Sequence, residues 1–115
     1  MKVEYHLEDN VGIVKIIGDL DAYSIRELQK KFNSYLKDTV YFVLDLSELD
    51  FLDSTGLGTI INFVKYLAEL EGALCIVNPK PKPRMVFEIT QAYKIIDFYD
   101  DLESAKTAMK TAQES

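Results

Sequence analysis

Two uninterrupted apolar runs, Val40-Tyr41-Phe42-Val43-Leu44 and Ala73-Leu74-Cys75-Ile76-Val77, flank one strongly amphipathic stretch. A strand that is apolar at every position has both faces covered, which happens almost only in a parallel sheet with helices on each side. The stretch between them supplies the crossover that such a pair requires. Leu57, Ile60, Ile61, Val64, Leu67 and Ala68 recur at helical spacing, Thr59, Asn62, Lys65 and Glu69 lie opposite, and Gly72 reads as the stop. Buried strand, helix and buried strand form one βαβ unit, and the rest of the chain has to extend it.

At the front, Val3, Tyr5 and Leu7 alternate with Lys2, Glu4, His6 and Glu8, the pattern of a strand with one wet face. Asp9-Asn10 is turn chemistry, and Val11 to Ile17 gives a second strand ending at Gly18, so the two form a hairpin. Ile25, Leu28, Phe32, Tyr35 and Leu36 then predict a helix. Ser24 with Glu27 makes a capping box for it, and Asp21 offers an earlier cap. Beyond the second buried strand, Asn78 to Pro83 is extended, because three prolines in a sheet would break its ladder. A helix from about Pro83 to Thr90 carries Val86, Phe87 and Ile89 inward. A strand follows over 95–99, and a last helix is capped by Asp100 or Asp101.

The expected architecture is α/β in the order ββαβαβαβα: a mixed, mostly parallel sheet opened by an antiparallel hairpin, with helices packed on it. With 115 residues, 48% of them apolar and 28% charged, residues 1–115 read as one domain without linker or repeat. A net charge of −6 argues against nucleic acid, leaving room only for a locally basic face. No stretch reaches the roughly 20 apolar residues of a membrane span, and the N-terminus lacks the apolar core of a signal peptide, so a cytoplasmic protein without membrane contact is expected. One cysteine, Cys75, sits inside a buried strand, and one histidine, His6, sits on the wet one. Neither a metal centre nor a cofactor is expected.

Three acidic places invite chemistry. Gly18-Asp19-Leu20-Asp21 resembles the first motif of haloacid-dehalogenase-like phosphatases, with Asp19 as nucleophile, Asp21 as acid and magnesium between them. Tyr23 stands where that family has a small hydroxyl or branched residue. Asp45 with Lys80-Pro81 loosely resembles a phospho-receiver, but the acidic pair of its first strand is absent and its lysine follows a later strand. The third place, Asp50-Phe51-Leu52-Asp53-Ser54-Thr55-Gly56-Leu57-Gly58, leads into the amphipathic helix. Ser54 is placed to be its N-cap. Gly56 and Gly58 would cost about 1 kcal/mol each inside a helix, and at its start they let another backbone or a phosphate approach. A phosphate on Ser54 would meet the positive end of the helix dipole, with Asp53 beside it, and would add about −2 to a docking face. As a hydrolase nucleophile Ser54 lacks the first glycine of a nucleophile elbow and a nearby base.

These landmarks taken together resemble a STAS domain of the stand-alone anti-sigma-factor antagonist type. They are Gly18-Asp19-Leu20-Asp21, Leu44-Asp45-Leu46-Ser47, Phe51-Leu52-Asp53-Ser54-Thr55-Gly56-Leu57-Gly58, the Gly72-led strand with its exit at Pro79, and Val86-Phe87-Glu88 with Ile95-Ile96. The resemblance implies a non-enzymatic switch. Ser54 is the hydroxyl phosphorylated by a partner that is both anti-sigma factor and serine kinase, and a serine phosphatase resets it. Asp21, Asp53, Ser54, Thr55, Gly56, Leu57 and Gly58 form the partner-binding surface. Unphosphorylated, such a protein binds the anti-sigma factor and so controls sigma-factor-dependent transcription; phosphorylated, it lets go. Thr55 replaces the serine common after the acceptor, and Thr90-Gln91-Ala92-Tyr93 lacks the usual Gly-Leu. The alternative implied is a STAS scaffold or sensory module that binds a small ligand, nucleotide or complex subunit without a phosphorylation cycle.

Overall fold

A computed structural model describes residues 1–114; Ser115, the last residue of the expected domain, lies outside the described residues. The two buried runs become β3 (Tyr41–Asp45) and β5 (Ala73–Val77), paired in parallel from Tyr41↔Ala73 to Asp45↔Val77. Side chains of β3 alternate between two cores. Phe42 and Leu44 face α1 (Ile25–Tyr35) and α2 (Ser54–Glu69), while Val43 joins Cys75 and Val77 under α4 (Leu102–Gln113). Burial on both sides explains why no polar residue interrupts either run. It also pushes the Cys75 thiol up to about 12, which keeps it protonated at neutral pH.

The hairpin forms as expected. β1 (Lys2–Glu8) pairs antiparallel with β2 (Val11–Leu20), and Asp9 and Asn10 both take positive φ, the backbone of a two-residue turn matched to strand twist. The sheet runs β1-β2-β3-β5-β6, with β6 (Asp97–Tyr99) at the far edge. Gly18 does not end β2. At φ +94 it bends the strand, the register shifts between Gly18 and Asp19, and the tail pairs in parallel with a strand absent from the expected order, β4 (Leu49–Leu52). In β4 only Leu49 and Leu52 are buried, so it shows neither alternation nor a continuous apolar run.

Several local expectations are corrected. The Ser24–Glu27 capping box does not form: Ser24 makes no side-chain cap, and the Asp21 carboxylate accepts from the amides of Tyr23 and Ser24 instead. α2 is rotated from the expected stripe, burying Thr59 and Phe63 and exposing Ala68. The Thr59 hydroxyl is satisfied by donating to the Thr55 carbonyl. At the end of α2 the left-handed residue is Glu71; Gly72 is needed because a Cβ there would run into the Val40 backbone. The extended segment after β5 is shorter than expected. α3 (Pro81–Ile89) begins two residues early, since proline is well suited to a helix's first turn, where no intrahelical donor is lost. Phe87 points inward, but Ile89 is exposed. Ile95 is exposed as well: a 3-10 turn over Ala92–Lys94 shortens the last strand, and Asp101 rather than Asp100 caps α4.

Candidate functional site

The segment singled out by its chemistry lies where β2, β4 and the start of α2 converge. α2 is capped by Asp53, not by Ser54: Asp53 has extended backbone, and its Oδ1 accepts from the Gly56 amide at 2.7 Å. Its Oδ2 accepts from the Ala22 amide at 3.3 Å, and its own amide donates to the Leu20 carbonyl at 3.3 Å. One residue thus ties the helix start to the tail of β2 and to the turn that follows it. Of the four amides that open a helix, those of Asp53 and Gly56 are satisfied in this way. Those of Ser54 and Thr55 have no partner inside the helix.

Because Asp53 does the capping, the Ser54 side chain is left out of it. Ser54 is the first helical residue and is exposed, and its hydroxyl makes no hydrogen bond among the described residues. Thr55 beside it is exposed too. The two glycines differ in purpose. Gly56 is buried, and a Cβ there would collide with the Leu20 carbonyl oxygen and come within 2.9 Å of Leu52 Cδ1. Gly58 has nothing within 4 Å of its missing Cβ, so its small size leaves space open toward solvent. Leu57 is buried and anchors the turn against the core.

Asp21 arrives at the same place through the Asp53–Ala22 bond. Its carboxylate is occupied by its own turn, with Oδ1 accepting from Tyr23 N at 2.9 Å and from the Ser24 amide and hydroxyl, both at 3.2 Å. The Ser24 hydroxyl also donates to the Asp19 carbonyl at 2.9 Å. A phosphatase acid would need that carboxylate free. No three His, Cys, Asp or Glu side chains are grouped to hold a metal among the described residues. Asp45 accepts from the Ser47 amide, and Lys80 pairs with Asp50 at 2.6 Å, so a receiver-like Asp45–Lys80 pair is not assembled. His6 lies opposite Ile13, seven residues down β2 from Leu20, which is about 23 Å at the usual strand rise. It cannot serve Ser54 as a base.

Two exposed aromatic residues sit on the segments that flank the helix start and were not anticipated as candidates. Tyr23 is 97% exposed in the Asp21 turn, and Phe51 is 49% exposed on β4, opposite Asp19. The signal was present in the sequence as an aromatic in a polar turn and another next to Asp50, which burial does not explain. No helix is long and apolar enough to cross a membrane among the described residues.

Losing the Asp53 carboxylate should loosen this corner. Asp53→Ala is expected to lower unfolding free energy by about 1–2 kcal/mol, the usual loss for a cap. Urea titration should show a lower midpoint with an unchanged slope, and Asp53→Asn should recover most of it.

Comparison with known proteins points one way. The STAS domain family matches residues 2–105. A candidate anti-sigma factor antagonist of Bordetella bronchiseptica, BtrV, is 30% identical over 113 residues, covering 97% of each chain. An anti-sigma-B factor antagonist of Staphylococcus aureus is 30% identical over 91 residues, 78% of this chain and 84% of that one. Among solved structures, an anti-sigma factor antagonist from Mycobacterium paratuberculosis superposes with a TM-score of 0.86 at 25% identity, covering 95% and 93% of the two chains.

Proposed function

The chain belongs to the STAS domain family, and from that premise we propose that it is an anti-sigma factor antagonist switched by phosphorylation of Ser54. Its role is regulatory rather than catalytic: it offers a docking face and a substrate hydroxyl. The observation that carries the reading is the shift of the cap to Asp53, which leaves an exposed Ser54 hydroxyl with no structural duty at the positive end of α2. Unphosphorylated, the surface of Tyr23, Phe51, Ser54, Thr55 and Gly58 docks an anti-sigma factor that is also a serine kinase. Asp21, Asp53, Gly56 and Leu57 hold that surface in shape.

Phosphate transfer to Ser54 places about two negative charges next to Asp53 and in front of the Ser54 and Thr55 amides. The helix start tolerates the group, and the docking face does not. A serine phosphatase restores the binding form. Incubation with an anti-sigma kinase and ATP should place one phosphate on the wild type and none on Ser54→Ala. Undiminished labelling of Ser54→Ala, mapped to Thr55 by mass spectrometry, would move the acceptor by one residue and defeat the assignment.

A further inference from the structure

Four large apolar side chains left open at the surface fall between residues 85 and 95. Met85, Ile89, Tyr93 and Ile95 are 56, 74, 54 and 52% exposed. Met85 and Ile89 stand one turn apart on α3, and Lys82 shares their face by its spacing. The same stretch is the basic part of an acidic molecule. Residues 80–95 carry Lys80, Lys82, Arg84 and Lys94 against Glu88 alone, a net +3 in a chain of −6, so the remainder is −9. Lys80 is held by Asp50, whereas Lys82, Arg84 and Lys94 have no ion pair among the described residues. Beside the apolar stripe, Arg84, Phe87, Glu88, Tyr93 and Phe98 line a cavity of about 200 Å³, with Phe87 and Phe98 edge to face at 5.1 Å.

We propose that this surface is a second docking face, built for an acidic segment of a partner protein that seats one apolar or aromatic side chain in the cavity. The chemistry is complementary in both parts. Lys82, Arg84 and Lys94 meet carboxylates, and the exposed apolar stripe is covered by the anchor's neighbours. A pocket of side-chain size, lined by aromatic rings with the Arg84 guanidinium and the Glu88 carboxylate at it, suits an apolar peptide anchor better than a bilayer, which has no single group to fill it. It leaves the acidic flanks of the peptide to Lys82, Arg84 and Lys94. An extended anionic membrane would also face the rest of the −6 molecule. The face does not depend on Ser54. It connects to the Ser54 surface through the Lys80–Asp50 pair on β4, so one partner can span both.

The test uses the full chain and a phage-displayed library of random peptides of about twelve residues. Selection should enrich acidic peptides with a central Leu, Phe, Tyr or Trp. Their affinity, read by fluorescence anisotropy, should fall at least about tenfold in a Lys82→Glu, Arg84→Glu double variant and weaken with added salt. Both side chains are exposed, so circular dichroism should show the double variant folded. Ser54→Asp should leave this binding unchanged even if it abolishes anti-sigma binding, so the two readings fail separately. Enrichment of neutral or basic peptides, no enrichment, or binding that survives the double substitution overturns the proposal. So does co-sedimentation with phosphatidylcholine–phosphatidylserine vesicles that the double variant loses, which would assign the face to a membrane.

Discussion

Gly56→Ala is expected to destabilise the fold by about 3 kcal/mol, the upper range for overpacking a tight site. For a chain of this size that is a fall in melting temperature of roughly 10 °C. The single added carbon would point at the Leu20 carbonyl oxygen, with Leu52 Cδ1 at 2.9 Å and Leu20 Cγ at 3.0 Å closing the remaining directions. Leu20 cannot simply move away. Its carbonyl accepts from the Asp53 amide, and its backbone pairs with Leu52 of β4. Relief therefore means parting α2 from the β2–β4 corner that carries the candidate site. Gly58→Ala is the internal control, since a Cβ there meets nothing within 4 Å. It should be neutral or stabilising by up to about 1 kcal/mol, the propensity difference between the two residues. Chemical denaturation of both variants distinguishes the cases. Equal stabilities would show that Gly56 is not chosen by packing.

Ser54→Asp is expected to weaken anti-sigma binding by about a hundredfold, or about 2.7 kcal/mol, while leaving the domain folded. Stability should change little because two effects oppose. A carboxylate at the first position of α2 gains from the helix dipole, by about 0.3–1 kcal/mol, and loses to repulsion from Asp53 next to it. The net should stay within about 0.5 kcal/mol, as for most surface substitutions. The docking face has no such offset, because the added charge there has to be desolvated when a partner covers it. Ser54→Asn separates charge from bulk: it should bind nearly as the wild type does. Titration calorimetry against the anti-sigma factor reads all three proteins, and an unchanged affinity for Ser54→Asp would remove the basis for a charge-driven switch.

Much of the fold was legible because the strongest patterns are also the most local. The runs at Tyr41–Asp45 and Ala73–Val77, the Asp9-Asn10 hairpin and the α2 periodicity each report burial of their own residues. β4 was not legible. Its four residues bury only their ends, and it exists because β2 continues past Gly18 and offers an open edge. The same limit explains Ile89, whose apolar character marked it for the core although Phe87 takes the inward position on that helix. Gln91 is a third case. It adopts φ 62 where glycine would be unstrained, and only the missing Gly-Leu of the family pattern pointed to that stretch.

At the candidate site the division falls between identity and arrangement. By itself the sequence determined that Asp53-Ser54-Thr55-Gly56-Leu57-Gly58 opens a helix after buried strands, that Ser54 is its hydroxyl, and that the surrounding charge is acidic. Adjacent Asp and Ser are both good caps, so local preference could not choose between them. Tertiary structure made the choice. The Leu20 carbonyl takes the Asp53 amide, and the Asp53 carboxylate reaches both Gly56 and Ala22, contacts available only to the residue lying against β2. That places Ser54 one step farther out, with its hydroxyl unengaged. It also gives Gly56 to the interior and Gly58 to the surface, a distinction that two identical residues cannot carry in sequence, because it is made by what another part of the chain brings next to them.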